Sequence, residues 1–370
     1  MKAFLRSGYL TACSFTAMLL VVELASRMIA PSLPIDPGKW PRIEIAQKLD
    51  QIRKLANAGK KVEVLFAGSS MMAGGIDPVA FSEASGLSSY NAGFAGPSMR
   101  TITPWVLDVV EPMLDPEVVV VGVQTRELSD NGPKNRVMYE KFLNSPGYKQ
   151  TKGTVASQLE GDLEELSYFL RYRRALREPS RLFATDEAER RALAEADVRK
   201  VIGPRGIRIE ESVDYRRAGK LIRALHDNTL NDFAVGGAEY EALQRLGREL
   251  EERDVQLVLL NMPVTNDYWA AHEDAESNRA SYYALMRDFV AETGVTLIDA
   301  EKGFPSSVAF RDPVHLDIEG RQAMAEALAA SWDAITSERT TAFGLSCSGA
   351  VDPVCRVRSG EGLAAAGAGG

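Results

Sequence analysis

The sequence predicts a doubly wound α/β sandwich built on a parallel sheet, and three observations carry that expectation. Glu117 to Gly122 contains four consecutive valines. Such a run suits a strand buried on both faces, as parallel sheets require. Other short apolar runs alternate along the chain with helical patterns, which supply the crossovers that parallel strands need. The hydrophobic fraction of 45% and charged fraction of 25% are those of an ordinary globular protein.

The elements follow in order. An apolar stretch from Gly8 to Ala30 comes after Lys2 and Arg6 and is interrupted by Glu23 and Arg27, one helical turn apart and able to pair. Its length and basic start predict a membrane-spanning anchor over residues 1–30. That expectation places the rest of the chain outside the cytoplasm, in the periplasm or at the cell surface. A cleaved signal peptide is the competing reading, weakened by the poor cleavage site at Met28-Ile29-Ala30. A proline-rich linker covers residues 31–41. The α/β domain then spans 42–336. Ile45, Leu49, Ile52 and Leu55 share one helical face before Gly59.

Val62 to Ala67 reads as the first strand and runs straight into Gly68-Ser69-Ser70. Asp77-Pro78 caps a short helix ending near Gly86. Ser89-Tyr90-Asn91 is a second strand, followed by a glycine-rich loop and a helix containing Pro104. The valine run is the third strand, Val255 to Leu260 the fourth and Val295 to Ile298 the fifth. Helical patterns at Glu239 to Glu252 and Asn278 to Glu292 precede the last two, and a final helix fits Glu319 to Ile335. The result is a five-stranded, flavodoxin-like sheet with helices on both faces.

Residues 124–240 are too many for a simple crossover, since most connections are about 4–6 residues, and read as a helical insertion. Leu159, Leu163, Leu166 and Leu170 mark one helix, and Asp186 to Lys200 a second. Arginines crowd between them at 171, 173, 174, 177 and 181. The segment is a candidate cap over a site, a solvated amphipathic surface, or a contact for anionic headgroups. Residues 337–370 lose periodicity and read as a disordered tail. Within it, Cys347 and Cys355 either pair in an oxidising compartment or stay free thiols.

The net charge of −8 and pI near 5.2 argue against nucleic acid as a partner. The chemistry-bearing residues lie at two distant places. Ser69 and Ser70 leave the first strand at its carboxyl end, where open parallel sheets bind ligands. Asp312-Pro313-Val314-His315 lies between the last strand and the last helix, so on the same edge. A serine hydroxyl needs a base to take its proton. His315 can be that base, and Asp312 can hold the ring in the right tautomer. The chain has three histidines. His226 and His272 have no ligand spacing and read as surface residues rather than metal ligands, and no cofactor is implied. Trp105, Trp269 and Trp332 read as packing residues, and Asn261-Met262-Pro263 as a structural turn bordering the crevice.

In combination these strings resemble the SGNH hydrolases, the GDSL-like esterase family, over roughly residues 60–125 and 250–335. Gly68-Ser69-Ser70 stands at the first block, with serine where the family has aspartate, which implies Ser70 as nucleophile. Asn91-Ala92-Gly93-Phe94-Ala95-Gly96 stands at the second and implies Gly96 in the oxyanion hole. Asp312 and His315 stand at the fifth, followed by Leu316 and Gly320. The third block departs. Gln124, one methylene longer, stands where the family's oxyanion asparagine is expected, and Arg126 is close enough in sequence to supply charge instead. The oxyanion set so implied is the Ser70 backbone, Gly96 and Gln124. Membrane-anchored members with Gly-Ser-Ser look like proteins acting on envelope or secreted polysaccharides. The resemblance therefore implies a serine esterase that removes acyl groups, acetyl foremost, from carbohydrate. Its alternatives are an O-acyltransferase using the same triad, with a membrane-bound acyltransferase as partner, and a non-catalytic envelope scaffold.

Overall fold

The computed structural model describes residues 2–29, 40–152, 154–170, 201–209, 218–301, 303–304, 309–337, 342–348 and 354–359. The chain packs as two units, residues 1–43 with 142–199, and 44–141 with 200–370.

In the first unit, α1 spans Lys2–Ile29. Here the expectation of a membrane anchor is corrected: among the described residues, no helix is long and apolar enough to cross a membrane. The interrupting charges show how the end of α1 is used. Arg27 Nε and Glu23 Oε1 pair at 2.8 Å. Glu23 also accepts from Ser167 Oγ at 2.8 Å and from the backbone N–H groups of Tyr168 and Phe169. Burial opposes its charge, but these donors win and hold its pKa at about 2. A carboxylate bonded in this way to another segment of its own chain is making a protein contact. The helices Pro146–Lys152 and Val155–Leu166 belong to the same unit. The arginine-dense stretch and the helix read at Asp186 to Lys200 lie outside the described residues, as do most of the proline-rich linker and residues 360–370.

The second unit is the α/β domain. Its sheet has the order β2-β1-β3-β4-β5-β8-β9. The strands are β1 Val64–Ala67, β2 Ser89–Asn91, β3 Val118–Val123, β4 Gln256–Asn261, β5 Thr296–Asp299, β8 Ala342–Ser348 and β9 Val354–Ser359. All pairings are parallel except β8 with β9. A two-stranded hairpin of β6 Phe310–Asp312 and β7 His315–Leu316 stands apart from this sheet. Every residue of β1 and β3 is buried, as the valine run predicted for strands covered on both faces.

The sheet is thus α/β and mostly parallel but has seven strands, not the five of a flavodoxin-like sheet. The two extra strands come from the segment read as a disordered tail. In β8, Phe343, Leu345 and Cys347 alternate inward with period two, and Cys347 faces Cys355 of β9 in register and is disulfide-bonded to it. The helices include α2 Ile43–Asn57, α3 Ser70–Gly75, α4 Pro78–Ser85, α5 Thr125–Leu128, α6 Ala275–Thr293 and α7 Ile318–Ala330. Phe66 of β1, Phe81 of α4 and Trp332 meet edge to face at 5.1 and 4.9 Å, tying sheet to helices.

Candidate active site

Chain direction reverses its lateral progress at β1, which has β2 on one side and β3 on the other. Crevices at such switch points, outside the carboxyl ends of the strands, are where open α/β sheets bind ligands. The loop leaving β1 is tightly confined. Gly68 has φ 150°, and a Cβ there would stand 2.9 Å from Met72 Cβ and 3.1 Å from the Gly122 carbonyl oxygen. Only glycine lets β1 turn into α3 this close to β3.

The two serines divide their work. Ser69 is the N-cap of α3, its Oγ accepting from Met71 N at 3.2 Å. Ser70, the first residue of α3, meets His315 instead: Oγ and Nε2 are 2.9 Å apart across 245 residues of sequence. On the other side of the ring, Nδ1 lies 2.7 Å from Asp312 Oδ2 and 2.9 Å from Oδ1. A carboxylate only accepts, so Nδ1 carries the proton and Nε2 is left to accept from the Ser70 hydroxyl. Asp312 Oδ1 also accepts from the backbone N–H groups of Val314 and His315, each at 3.0 Å, which fixes the carboxylate before the imidazole meets it. The β6–β7 hairpin is itself pinned by Thr265. Its N–H and its Oγ1 both donate to the Pro313 carbonyl at 3.1 Å.

Electrostatics suit a base. His315 is 9% exposed, and burial lowers its pKa below the usual histidine value, with Arg311 and Arg208 pushing the same way and Asp312 opposing. Burial disfavours ionisation of Asp312, yet its bonds to His315 and Val314 hold its carboxyl below the ordinary aspartate range. The pair is therefore a neutral imidazole on an ionised carboxylate near neutral pH.

The expected oxyanion residues fare differently. Gly96 lies in the loop after β2 at φ 92°, with that loop held against the β1 exit by Phe94 N donating to the Gly68 carbonyl at 3.1 Å. Among the described residues Gly96 makes no hydrogen bond to the triad. Gln124 turns away: its Nε2 donates to Met262 O at 3.2 Å and Asn261 Oδ1 at 3.4 Å, and its Oε1 accepts from Thr125 N at 2.8 Å. The extra methylene carries the amide to the end of β4. Arg126 approaches instead, with Nη1 3.5 Å from Ser70 Oγ.

Several residues depart from the sequence expectation or lie outside it. His272 is buried, not on the surface; its Nε2 lies 2.9 Å from Thr125 Oγ1, which shares a 2.6 Å hydrogen bond with Tyr268 OH. His226 Nδ1 lies 2.9 Å from the Ala271 carbonyl. Asn261 is a buried hub, accepting from Tyr282 OH at 2.8 Å and donating to Asp299 Oδ1 at 2.8 Å. Glu127 lies outside the sequence expectation; it is 1% exposed with its carboxyl 3.7 Å from Arg126 Nη1. Its adjacency to Arg126, the residue able to supply charge in place of Gln124, was the signal in the sequence.

Trp105, Trp269 and Trp332 are all buried, and Trp269 Nε1 donates to Glu301 Oε1 at 3.2 Å. No protein-family model and no curated protein matches the chain.

Proposed function

We propose that the protein is a serine-dependent enzyme acting on carboxylic esters, with Ser70 as nucleophile, His315 as general base and then general acid, and Asp312 as the group that orients the imidazole. The observation that carries this reading is the continuous chain of hydrogen bonds from Asp312 through both nitrogens of His315 to Ser70 Oγ. In the first half-reaction Ser70 Oγ adds to the ester carbonyl as its proton moves to Nε2. The leaving alkoxide then takes that proton, and an acyl-enzyme remains. The resemblance in the motif blocks supports an acylated carbohydrate, acetylated foremost, as the substrate class.

A transferase needs the same groups and differs in what reaches the acyl-enzyme. The bonded triad therefore supports it equally, as a second reading. A non-catalytic scaffold has no need of a bonded triad.

The test is labelling of the full chain with a fluorophosphonate and turnover of p-nitrophenyl acetate, each compared with Ser70→Ala. The expected result is labelling at Ser70 and loss of both signals in the variant. Undiminished hydrolysis by Ser70→Ala would sink the reading. Supplying a donor ester with an acceptor glycan then separates the two reactions: free acetate alone means hydrolysis, acylated glycan means transfer.

A further inference from the structure

We infer that Arg126 is a catalytic residue of this site, the group that takes the negative charge developing on the ester carbonyl oxygen. The inference rests on the serine-ester reading above and deepens it. Its starting point is that the Gln124 amide has its donors turned to Met262 and Asn261. Two residues further on, Arg126 turns toward the nucleophile: its Nη1 donates to Ser70 Oγ at 3.5 Å, the one side-chain cation in contact with the nucleophile among the described residues.

The backbone around Arg126 is held from both directions. Its N–H donates to Tyr268 OH at 3.2 Å, and its carbonyl accepts from Asn135 Nδ2 at 3.1 Å. Tyr268 is itself fixed through Thr125 and His272. The side chain is 13% exposed, enough to border the crevice while remaining mostly out of water. The carboxylate beside it, Glu127, stands 3.7 Å from Nη1, longer than a charge-assisted hydrogen bond. Burial also raises the pKa of Glu127, which favours its neutral form and leaves the guanidinium charge less compensated.

The chemistry follows from that placement. As the bond from Ser70 Oγ to the carbonyl carbon forms, the hydroxyl proton passes to His315 Nε2 and the carbonyl π pair moves onto oxygen. That oxygen lies two bonds from Oγ, within reach of a guanidinium already in contact with Oγ. On collapse the pair returns, the ester C–O bond breaks, and the proton on Nε2 goes to the leaving alkoxide. A guanidinium N–H donates to this oxyanion through a charge-assisted bond, as an amide N–H would, and adds a full positive charge beside it, so the substitution at the third block changes the donor and keeps the function.

The experiment uses the full chain carrying Arg126→Ala and, separately, Arg126→Lys, with p-nitrophenyl acetate as substrate and guanidinium ion at low millimolar concentration as rescue probe. Loss of one oxyanion donor typically costs about 10²–10³ in kcat. That fall is expected in Arg126→Ala with KM almost unchanged, with part of the rate recovered on adding guanidinium and part retained in Arg126→Lys. An unchanged kcat, a defect confined to KM, or absence of rescue in a variant that melts with the wild type would overturn the assignment. If Arg126→Ala does not fold, Arg126→Lys decides alone: a kcat equal to wild type counts against the inference. Failure of the serine reading shows elsewhere, as hydrolysis that survives Ser70→Ala.

Discussion

The two sides of Ser70 are built differently. Toward His315 every polar atom is bonded: 2.9 Å from Oγ to Nε2, 2.7 Å from Nδ1 to Asp312, and two backbone donors at 3.0 Å on the carboxylate. Toward Arg126 the contact is 3.5 Å, and behind it stands Glu127, whose carboxyl oxygens have no hydrogen-bond partner among the described residues. Ser69 and Arg126 lie close enough to favour its charge, but outside hydrogen-bond geometry for the carboxyl, and burial outweighs them. The proton-transfer side is thus preorganised, while the charge-stabilising side holds a buried acid in want of partners. Full satisfaction is the rule for buried polar groups, and an exception calls for a functional or structural reason.

The largest effect belongs to the bonded side. Asp312→Asn keeps an oxygen able to accept from Val314 and His315 N–H, so the hairpin survives. Its NH₂ then faces Nδ1 and forces the proton onto Nε2, the tautomer that cannot accept from Ser70. A fall of about 10⁴ in kcat is expected. The pH profile should carry the same signature. His315 must be neutral to act, and its pKa lies below 6.5, so kcat/KM should be flat near pH 7 and fall only on the acid side of that value. Steady-state kinetics from pH 4 to 8 measures both. A variant within tenfold of wild type, or an acid limb centred above pH 7, breaks the account of this side.

The asymmetry also explains what was readable in the sequence. Asp312 and His315 are three residues apart, joined by a turn whose hydrogen bonds are local, so spacing alone brought them together. The strands were legible for a similar reason: a run such as Val118–Val121 states its own burial. Arg126 was legible only as a charge two residues from Gln124, because its approach to Ser70 depends on how the chain turns as it leaves β3, and Gln124 was placed by analogy with a side chain one methylene shorter. The final hairpin was lost although Phe343, Leu345 and Cys347 alternate with period two, because the residues between them are glycine and serine, weak strand formers that also mark turns and loops. The apolar stretch of α1 was read by length and hydropathy, and the partners of Glu23 lie more than 140 residues away.

Gln124 gives a smaller effect that sharpens the comparison. It is fully buried with both amide atoms bonded. Gln124→Ala therefore leaves orphaned groups and should destabilise the fold by about 1–3 kcal/mol, measured by denaturant unfolding. If the amide plays no part in charge stabilisation, kcat of the folded variant stays well short of the 10²–10³ loss that removing an oxyanion donor brings. A loss of that size with native stability would return Gln124 to the oxyanion hole.

The smallest effect is on the acid in want of partners, and here pH decides. Burial raises the pKa of Glu127 in the folded chain above its ordinary 4.5. The folded state thus holds this proton more tightly than the unfolded state does. Its contribution to stability is fully present below about pH 4.5 and is lost as pH rises through the raised folded value. Glu127→Gln cannot ionise and does not suffer that loss, and each tenfold difference between the two acid constants is worth about 1.4 kcal/mol. The variant should therefore melt near the wild type at pH 4 and above it at pH 8, with the gap opening between. Thermal unfolding of both proteins across that range reads it directly. A gap that does not change with pH would mean that Glu127 stays ionised throughout, paired with Arg126 more closely than 3.7 Å implies, and the contrast between the two sides of Ser70 would then disappear.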